Sequence, residues 1–243
     1  MANEKFSVKF AEGKENNAAY KLRYREMILE YRPDNVKDSG LDFSDYDKFA
    51  KQAICIDNET GEVVGCYRII TSDYLPKGAR FVCEEEFDIS KLKATGARIA
   101  ELSRACVKKE YRSSMVLMLL LRFVIKYIKE NDFKYVIGEA SFYGTDKSVY
   151  QKELSYLAHY HSFDDNVGIK SLEEDQVEIL DKDDLDAFAI KRALPPLIRA
   201  YLSFGVKVSK DSFTDREFGS VDVFVLLDGE NYNSAYILKL LKI

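Results

Sequence analysis

Tryptophan is absent from this chain, histidine occurs twice, and proline and cysteine occur four times each. Four prolines and twelve glycines leave no room for a low-complexity linker, and nothing recurs at solenoid periods. Cys55, Cys66, Cys83 and Cys106 lie far apart in apolar or aromatic surroundings, with no CxxC and no histidine at zinc spacing. They read as reduced, buried thiols of a cytoplasmic protein. His159 and His161 flank Tyr160 with no cysteine or carboxylate to complete a metal set, so no metal is expected. The same lack argues against Ser-His-Asp and Cys-His mechanisms. Long apolar runs are missing too: Met115 to Leu121 is the longest, far short of the roughly 20 residues of a membrane span. The amino terminus, MANEKFSVKF, lacks a signal-peptide core. No excess of cations is present either. The net charge of −5 argues against nucleic acid as a partner.

What is there suits one large core. The 243 residues are 47% hydrophobic and 13% aromatic, enough for a single domain over residues 1–243, with 185–243 as a C-terminal lobe continuing its sheet. Tyr20, Tyr24, Met27, Ile28 and Tyr31 recur at helical spacing within Asn17 to Arg32, and Pro33 stops the run. DSGLDFSDYDKFA follows as an acidic loop. The two apolar runs joined by Asn58 to Glu62 predict a hairpin. Ile99 to Val107 suits a strand, and Met115 to Ile128 is too long and Leu-rich for anything but a helix. KYVIGEASF reads as a strand, Lys147 to Tyr160 as a helix, LPPLIRAYLSFG as helical, FGSVDVFVLLD as a strand and Asn233 to Leu241 as a terminal helix. Helices covering a mixed sheet make an α/β or α+β sandwich.

Several strings in this order resemble the GNAT acyltransferase superfamily. The resemblance is to the branch that holds L-ornithine N-alpha-acyltransferases, N-acyl amino acid synthases and acyl-homoserine lactone synthases. LRYRE at Leu22, SDYD at Ser44, GCYRI at Gly65 and CEEEFDIS at Cys83 carry it, followed by ELSRACV at Glu101, EYRS at Glu110 and GEASFYGTD at Gly138. LPPLIRAYLSFG and FGSVDVFVLLD fit the ornithine type better than the lactone synthases. Met27 stands where the lactone synthases carry an aromatic residue, and their nearby tryptophan has no counterpart here. The resemblance implies a largely antiparallel, twisted sheet flanked by helices, splayed at its centre. It also implies aminolysis of an acyl thioester with no bound cofactor.

An amino acid is mostly an ammonium ion near neutral pH, so a base must take a proton before the nitrogen attacks. Glu101, at the edge of an apolar strand, is the candidate; pairing with Arg98 or Arg104 is its structural alternative. Alternation puts Glu101 and Ser103 on one face and Arg104 on the other unless a bulge intervenes, and the family has a bulge here. The resemblance gives Arg104 the organising of the site and contact with the pantetheine arm. It makes Arg23, Asp45, Asp47 and Arg68 a charged cluster on the acceptor side, which a surface salt-bridge network explains equally well.

The turn after this strand bears on the donor. Coenzyme-A-binding members usually carry small residues that let backbone N–H groups reach a pyrophosphate. Here Arg112-Ser113-Ser114-Met115-Val116-Leu117 fills both glycine positions with apolar side chains. That favours the phosphopantetheine of an acyl carrier protein, with acyl-coenzyme A as the alternative donor. Ser113 and Ser114 would meet the phosphate, while Lys108, Lys109 and Arg112 would meet an acidic carrier. Met115 to Leu121 would line an acyl tunnel or pack the core. Glu84, Glu85, Glu86 and Asp88 are weaker candidates for a cationic acceptor. The expected activity is transfer of a long-chain acyl or 3-hydroxyacyl group to an amino acid, ornithine first and glycine or lysine behind it. Contact with the inner face of a membrane, through YILKLLKI, stays open.

Overall fold

The turn between the apolar runs closes on Asp57 and Gly61. Asp57 accepts from Gly61 N at 2.8 Å and donates to the Glu62 carbonyl at 2.9 Å. Gly61 takes φ +71°, a left-handed conformation that costs a residue without a Cβ little. The computed structural model describes residues 5–32, 36, 38–230 and 235–242. In chain order they form β1 (Phe6–Phe10), α1 (Glu15–Arg23), α2 (Leu29–Tyr31), β2 (Lys51–Asp57), β3 (Val63–Thr71), β4 (Phe87–Asp88), α3 (Ser90–Ala94) and β5 (Ile99–Val107). They continue as α4 (Val116–Glu130), β6 (Tyr135–Tyr143), α5 (Gln151–Tyr160), β7 (Lys170–Ser171), α6 (Ala187–Ala193), α7 (Pro196–Ser203), β8 (Lys207–Asp215), β9 (Ser220–Asp228) and α8 (Ala235–Lys242). This is a mixed α/β protein whose strands pair antiparallel within each unit.

The chain divides into two compact units. The first holds residues 1–79, 100–132 and 239–243, the second residues 80–99 and 133–238. In the first, β1, β2, β3 and β5 pair in that order. Every residue of β3 is buried, because both faces of this sheet are covered. On one face α1 lays Ala19 and Leu22 against Ile54, Cys66 and Cys106. On the other face α4 comes so close that a Cβ on Gly65 would stand 2.6 Å from Val116 Cγ1 and 2.9 Å from Leu120 Cδ1. All four cysteines are buried and free, and burial pushes the Cys55 thiol up to about 12.

In the second unit β9 lies between β6 and β8 and is buried along nearly its whole length. The sequence gives no apolar signal for β8, KVSKDSFTD. Its buried groups include Ser209, Ser212 and Thr214: Ser209 Oγ donates to the Asp211 carbonyl at 2.6 Å, and the other two meet side chains remote in the chain. Gln176 accepts from Ser212 N at 2.8 Å and donates to the Ser212 carbonyl at 2.9 Å. Glu173 accepts from Thr214 N at 2.8 Å.

The expected helix from Asn17 to Arg32 is broken by a π-helical turn at Tyr24–Ile28. Pro33 and the expected start of the last helix at Asn233 lie outside the described residues. Among the described residues no helix is long and apolar enough to cross a membrane.

Gly65→Ala should lower stability by about 1–3 kcal/mol, because α4 must shift to admit a methyl group. Urea unfolding measures it, and an unchanged midpoint would mean that α4 yields freely.

Candidate active site

Arg23 ends α1 with its side chain 0% exposed, and a buried guanidinium demands partners for its five N–H groups. Its Nε donates to Asp42 Oδ2 at 2.8 Å. Nη1 and Nη2 donate to the two oxygens of Asp47 at 2.7 and 3.1 Å, and Nη1 also reaches Gln52 Oε1 at 3.3 Å. Asp47 sits in a 3₁₀ turn, Asp45–Lys48, and its Oδ2 accepts from Ser44 N at 2.9 Å. That reciprocal cap holds the carboxylate independently of the arginine.

Arg68, in the middle of β3, extends the network. Its Nε donates to Ser103 Oγ at 2.9 Å and Nη1 to Ser44 Oγ at 3.1 Å, and Nη1 stands 3.7 Å from Asp47 Oδ2. Nη2 is buried with no hydrogen-bond partner among the described residues. Burial, then the like charges of Arg104 and Arg23, bring the Arg68 guanidinium down to about 10. A guanidinium with a donor to spare has the chemistry to bind an anion.

Glu101 stands opposite Ile70, and Ser103 opposite Arg68. Residues directly opposed across strands share a face, so Glu101, Ser103 and Arg68 project together. Glu101 is 1% exposed, and its charge acts favourably on Arg68. Simple alternation would send Arg104 the other way. Instead the β3–β5 register slips between Cys66 and Arg68, and Arg104 takes φ +54°. This bulge brings Arg104 Nε to 3.3 Å from Asp42 Oδ2. Three arginines thus share two aspartates beside Glu101.

Asp45 does not join them: its side chain is 88% exposed and pairs with Lys48 at 2.6 Å. Asp42 and Gln52, which no motif singled out, take places in the cluster.

The basic turn is largely occupied by its own surroundings. Glu26, on the π turn, accepts from Lys109 N at 2.8 Å and from Arg112 Nη2 at 3.1 Å. Arg112 also pairs with Glu30 and donates to the Val107 carbonyl at 3.2 Å. Lys108 Nζ lies 2.5 Å from Glu62. The Lys109 side chain and Ser113 are exposed. Ser114 Oγ accepts from Val116 N at 3.3 Å, so Ser114 meets the first N–H of α4. Beside it an open recess of about 670 Å³ is lined by Lys5, Phe6, Glu110, Tyr111, Ser114 and Met115. Of the apolar run, Val116, Leu120 and Leu121 are buried, while Met115 and Met118 are exposed.

The remaining candidates disperse. Glu84 pairs with Lys93 at 2.7 Å, and Asp88 accepts from Ser90 N at 2.8 Å. His159 Nε2 lies 2.8 Å from the Leu180 carbonyl and His161 Nε2 3.2 Å from the Tyr156 hydroxyl.

Burial alone would raise the Asp42 and Asp47 carboxyls. Arg104 and Arg23 outweigh it at Asp42, as do Arg23 and Arg68 at Asp47, and hold both below their ordinary values. Their stabilising contribution is therefore complete above the unfolded value of about 4. It is lost as pH falls through their folded values. Asp47→Asn should cost about 3–5 kcal/mol at neutral pH, because it leaves the buried Arg23 guanidinium with only one of its two carboxylates. It should also flatten the acid limb of the stability curve. Urea titrations from pH 7 to 3 would show both effects, and an acid limb parallel to the wild type would refute the assignment.

The GNAT acetyltransferase domain family matches residues 22–122. The L-ornithine N(alpha)-acyltransferase of Rhodobacter capsulatus is 30% identical over 225 residues, covering 89% of this chain and 87% of that protein. The protein of that name from Brucella abortus is 28% identical over 232 residues, covering 90% of this chain and 83% of its own. Among solved structures, the CoA-dependent acyl-homoserine lactone synthase BjaI covers 97% of this chain and 87% of its own, with a TM-score of 0.51 at 11% identity. That last likeness is one of fold alone. With its GNAT domain and its near full-length match to these enzymes, the chain belongs to the L-ornithine N(alpha)-acyltransferase family of GNAT acyltransferases.

Proposed function

We propose that the protein transfers a long-chain acyl or 3-hydroxyacyl group from acyl carrier protein to the α-amino group of ornithine. The observation that carries the reading is the meeting of Glu101, Ser103 and Arg68 on one sheet face with Arg104 turned toward it by a bulge, in a chain of this family. Glu101 takes a proton from the substrate ammonium, directly or through one water. The freed nitrogen attacks the thioester carbonyl, a C–N bond forms, and the C–S bond breaks. The second nitrogen proton leaves with the pantetheine thiol. Backbone N–H groups released from pairing at the bulge stabilise the oxyanion. The substrate carboxylate finds its counter-charge in Arg68 and Arg104.

A carrier-bound donor is supported by the turn before α4, where Met115 and Leu117 replace the small residues that a pyrophosphate needs. In this reading Ser113, Ser114 and Lys109 meet the single phosphate and the acidic carrier. Arg112 and Lys108 would have to exchange their present carboxylate partners to do the same. They serve the docking less directly than their charge suggests.

Purified protein given hexadecanoyl or 3-hydroxyhexadecanoyl carrier protein and a panel of amino acids should release one N-acyl product, identified by mass. A preference for acyl-coenzyme A would overturn the donor, and a preference for glycine or lysine the acceptor. Glu101→Gln should cut turnover by about 10²–10⁴-fold while the protein still folds, as circular dichroism would show. Undiminished turnover would remove Glu101 from the role of base.

A further inference from the structure

Acidic side chains remote in sequence meet on one face of the second unit. Glu139 lies on β6, Asp222 on β9 and Asp215 at the end of β8. Ser141 stands opposite Asp222 and Ser220 opposite Asp215, so antiparallel pairing turns all three acids to the same side. Glu86 precedes β4 and is carried onto this face by its neighbour Phe87. The Phe87 ring packs edge-on to Phe224 at 5.6 Å and lies 6.5 Å from Phe213. One carboxylate oxygen each from Glu86, Asp215 and Asp222 lie within 4.8 Å of one another.

Glu86 sets this group apart from acids that merely share a surface. It is 8% exposed, its Oε2 has no hydrogen-bond partner among the described residues, and that oxygen belongs to a side chain aimed at two further carboxylates. Leaving such an atom without a partner is costly. Neither Glu86 nor Asp215 is paired with a lysine or arginine among the described residues. The other acids are already oriented. Phe218 N donates to Asp215 Oδ1 at 2.7 Å and the Ser220 hydroxyl to Asp222 Oδ2 at 2.8 Å. The Glu86 backbone is pinned at both ends, to the Cys83 carbonyl at 3.2 Å and to Leu172 N at 2.8 Å. Carboxylates held by outer contacts on rigid strands are prepared for a shared ligand.

Donor chemistry narrows that ligand. Every donor is a carboxylate oxygen, with no imidazole or thiolate, which selects a hard cation over zinc or copper. Metal–oxygen bonds of about 2.1–2.5 Å place ligand oxygens at separations that this group spans. A monovalent ammonium would offset one charge of several, whereas a divalent ion offsets two. We propose that Glu86, Asp215 and Asp222 form a binding site for one hard divalent cation, Mg²⁺ or Ca²⁺, with Glu139 beside it. The site lies wholly in the second unit and stands independently of the acyl-transfer reading.

The full-length protein, stripped with a chelator, should bind one Mn²⁺ per chain by electron paramagnetic resonance, and Mg²⁺ or Ca²⁺ should displace it. Saturating Mg²⁺ or Ca²⁺ should raise the melting temperature. Glu86→Gln and Asp215→Asn should each weaken binding more than about tenfold, while Asp165→Asn, at an exposed carboxylate paired with Lys210, should leave it unchanged. Glu86→Gln keeps the size and shape of the side chain, so it should fold, and the Mn²⁺ count reads binding separately from stability. Lack of saturable binding by any of the three ions would overturn the proposal. Binding that survives Glu86→Gln and Asp215→Asn would do the same, as would L-ornithine binding at these residues without a divalent ion.

Discussion

The first unit is organised around one buried guanidinium. Taking Arg23 out of water is tolerable only if its donors are matched, and the match recruits the segment from Asp42 to Gln52 as well as α1. Asp47 then bridges to Arg68 on β3, and Asp42 to Arg104 on β5. The strand carrying Glu101 is thus tied through Asp42, and its neighbour β3 through Asp47, to a helix that precedes Glu101 by some eighty positions. Three guanidiniums face Asp42, Asp47 and Glu101, so formal charges within the cluster cancel. Apolar packing alone would allow the helix to slide on the sheet; the directional bonds do not.

The same economy explains the turn before α4. Glu26 is inward-facing because the helix passes through a π turn at Tyr24–Ile28, where an extra residue re-aims the side chains that follow. From there Glu26 holds Lys109 N and Arg112. A run that looks like free positive charge in the sequence is therefore clamped to the first helix. Its cationic character toward a partner rests on fewer residues than its letters imply.

Apolar periodicity made the hairpin, β5, α4, β6 and β9 legible, since each buries continuous or alternating hydrophobic groups. It missed β1 and β8, and the π turn, because short or polar-lined elements are defined by partners elsewhere in the chain. In the site, Arg23, Asp47, Arg68, Glu101 and Ser103 could be named from family strings. Asp45 and Asp47 look equivalent in SDYD. In a 3₁₀ turn, however, residues two apart point in different directions, and only Asp47 faces Arg23. Asp42 and Gln52 carried no signal, because their roles exist only once the loop is folded. The group of Glu86, Asp215 and Asp222 was hidden for the same reason: ligand spacing is readable only when ligands are close in sequence.

The side chain of Gln176 against β8 has a further consequence. An amide that accepts from Ser212 N and donates to its carbonyl presents to the strand what a neighbouring peptide unit would present. With Glu173 on Thr214 N, successive outward-facing positions of β8 are closed without another strand. An open edge invites a second chain to extend the sheet. Here the invitation is answered from within, by two side chains of a loop, so the edge of β8 is covered at Ser212 and at Thr214 N.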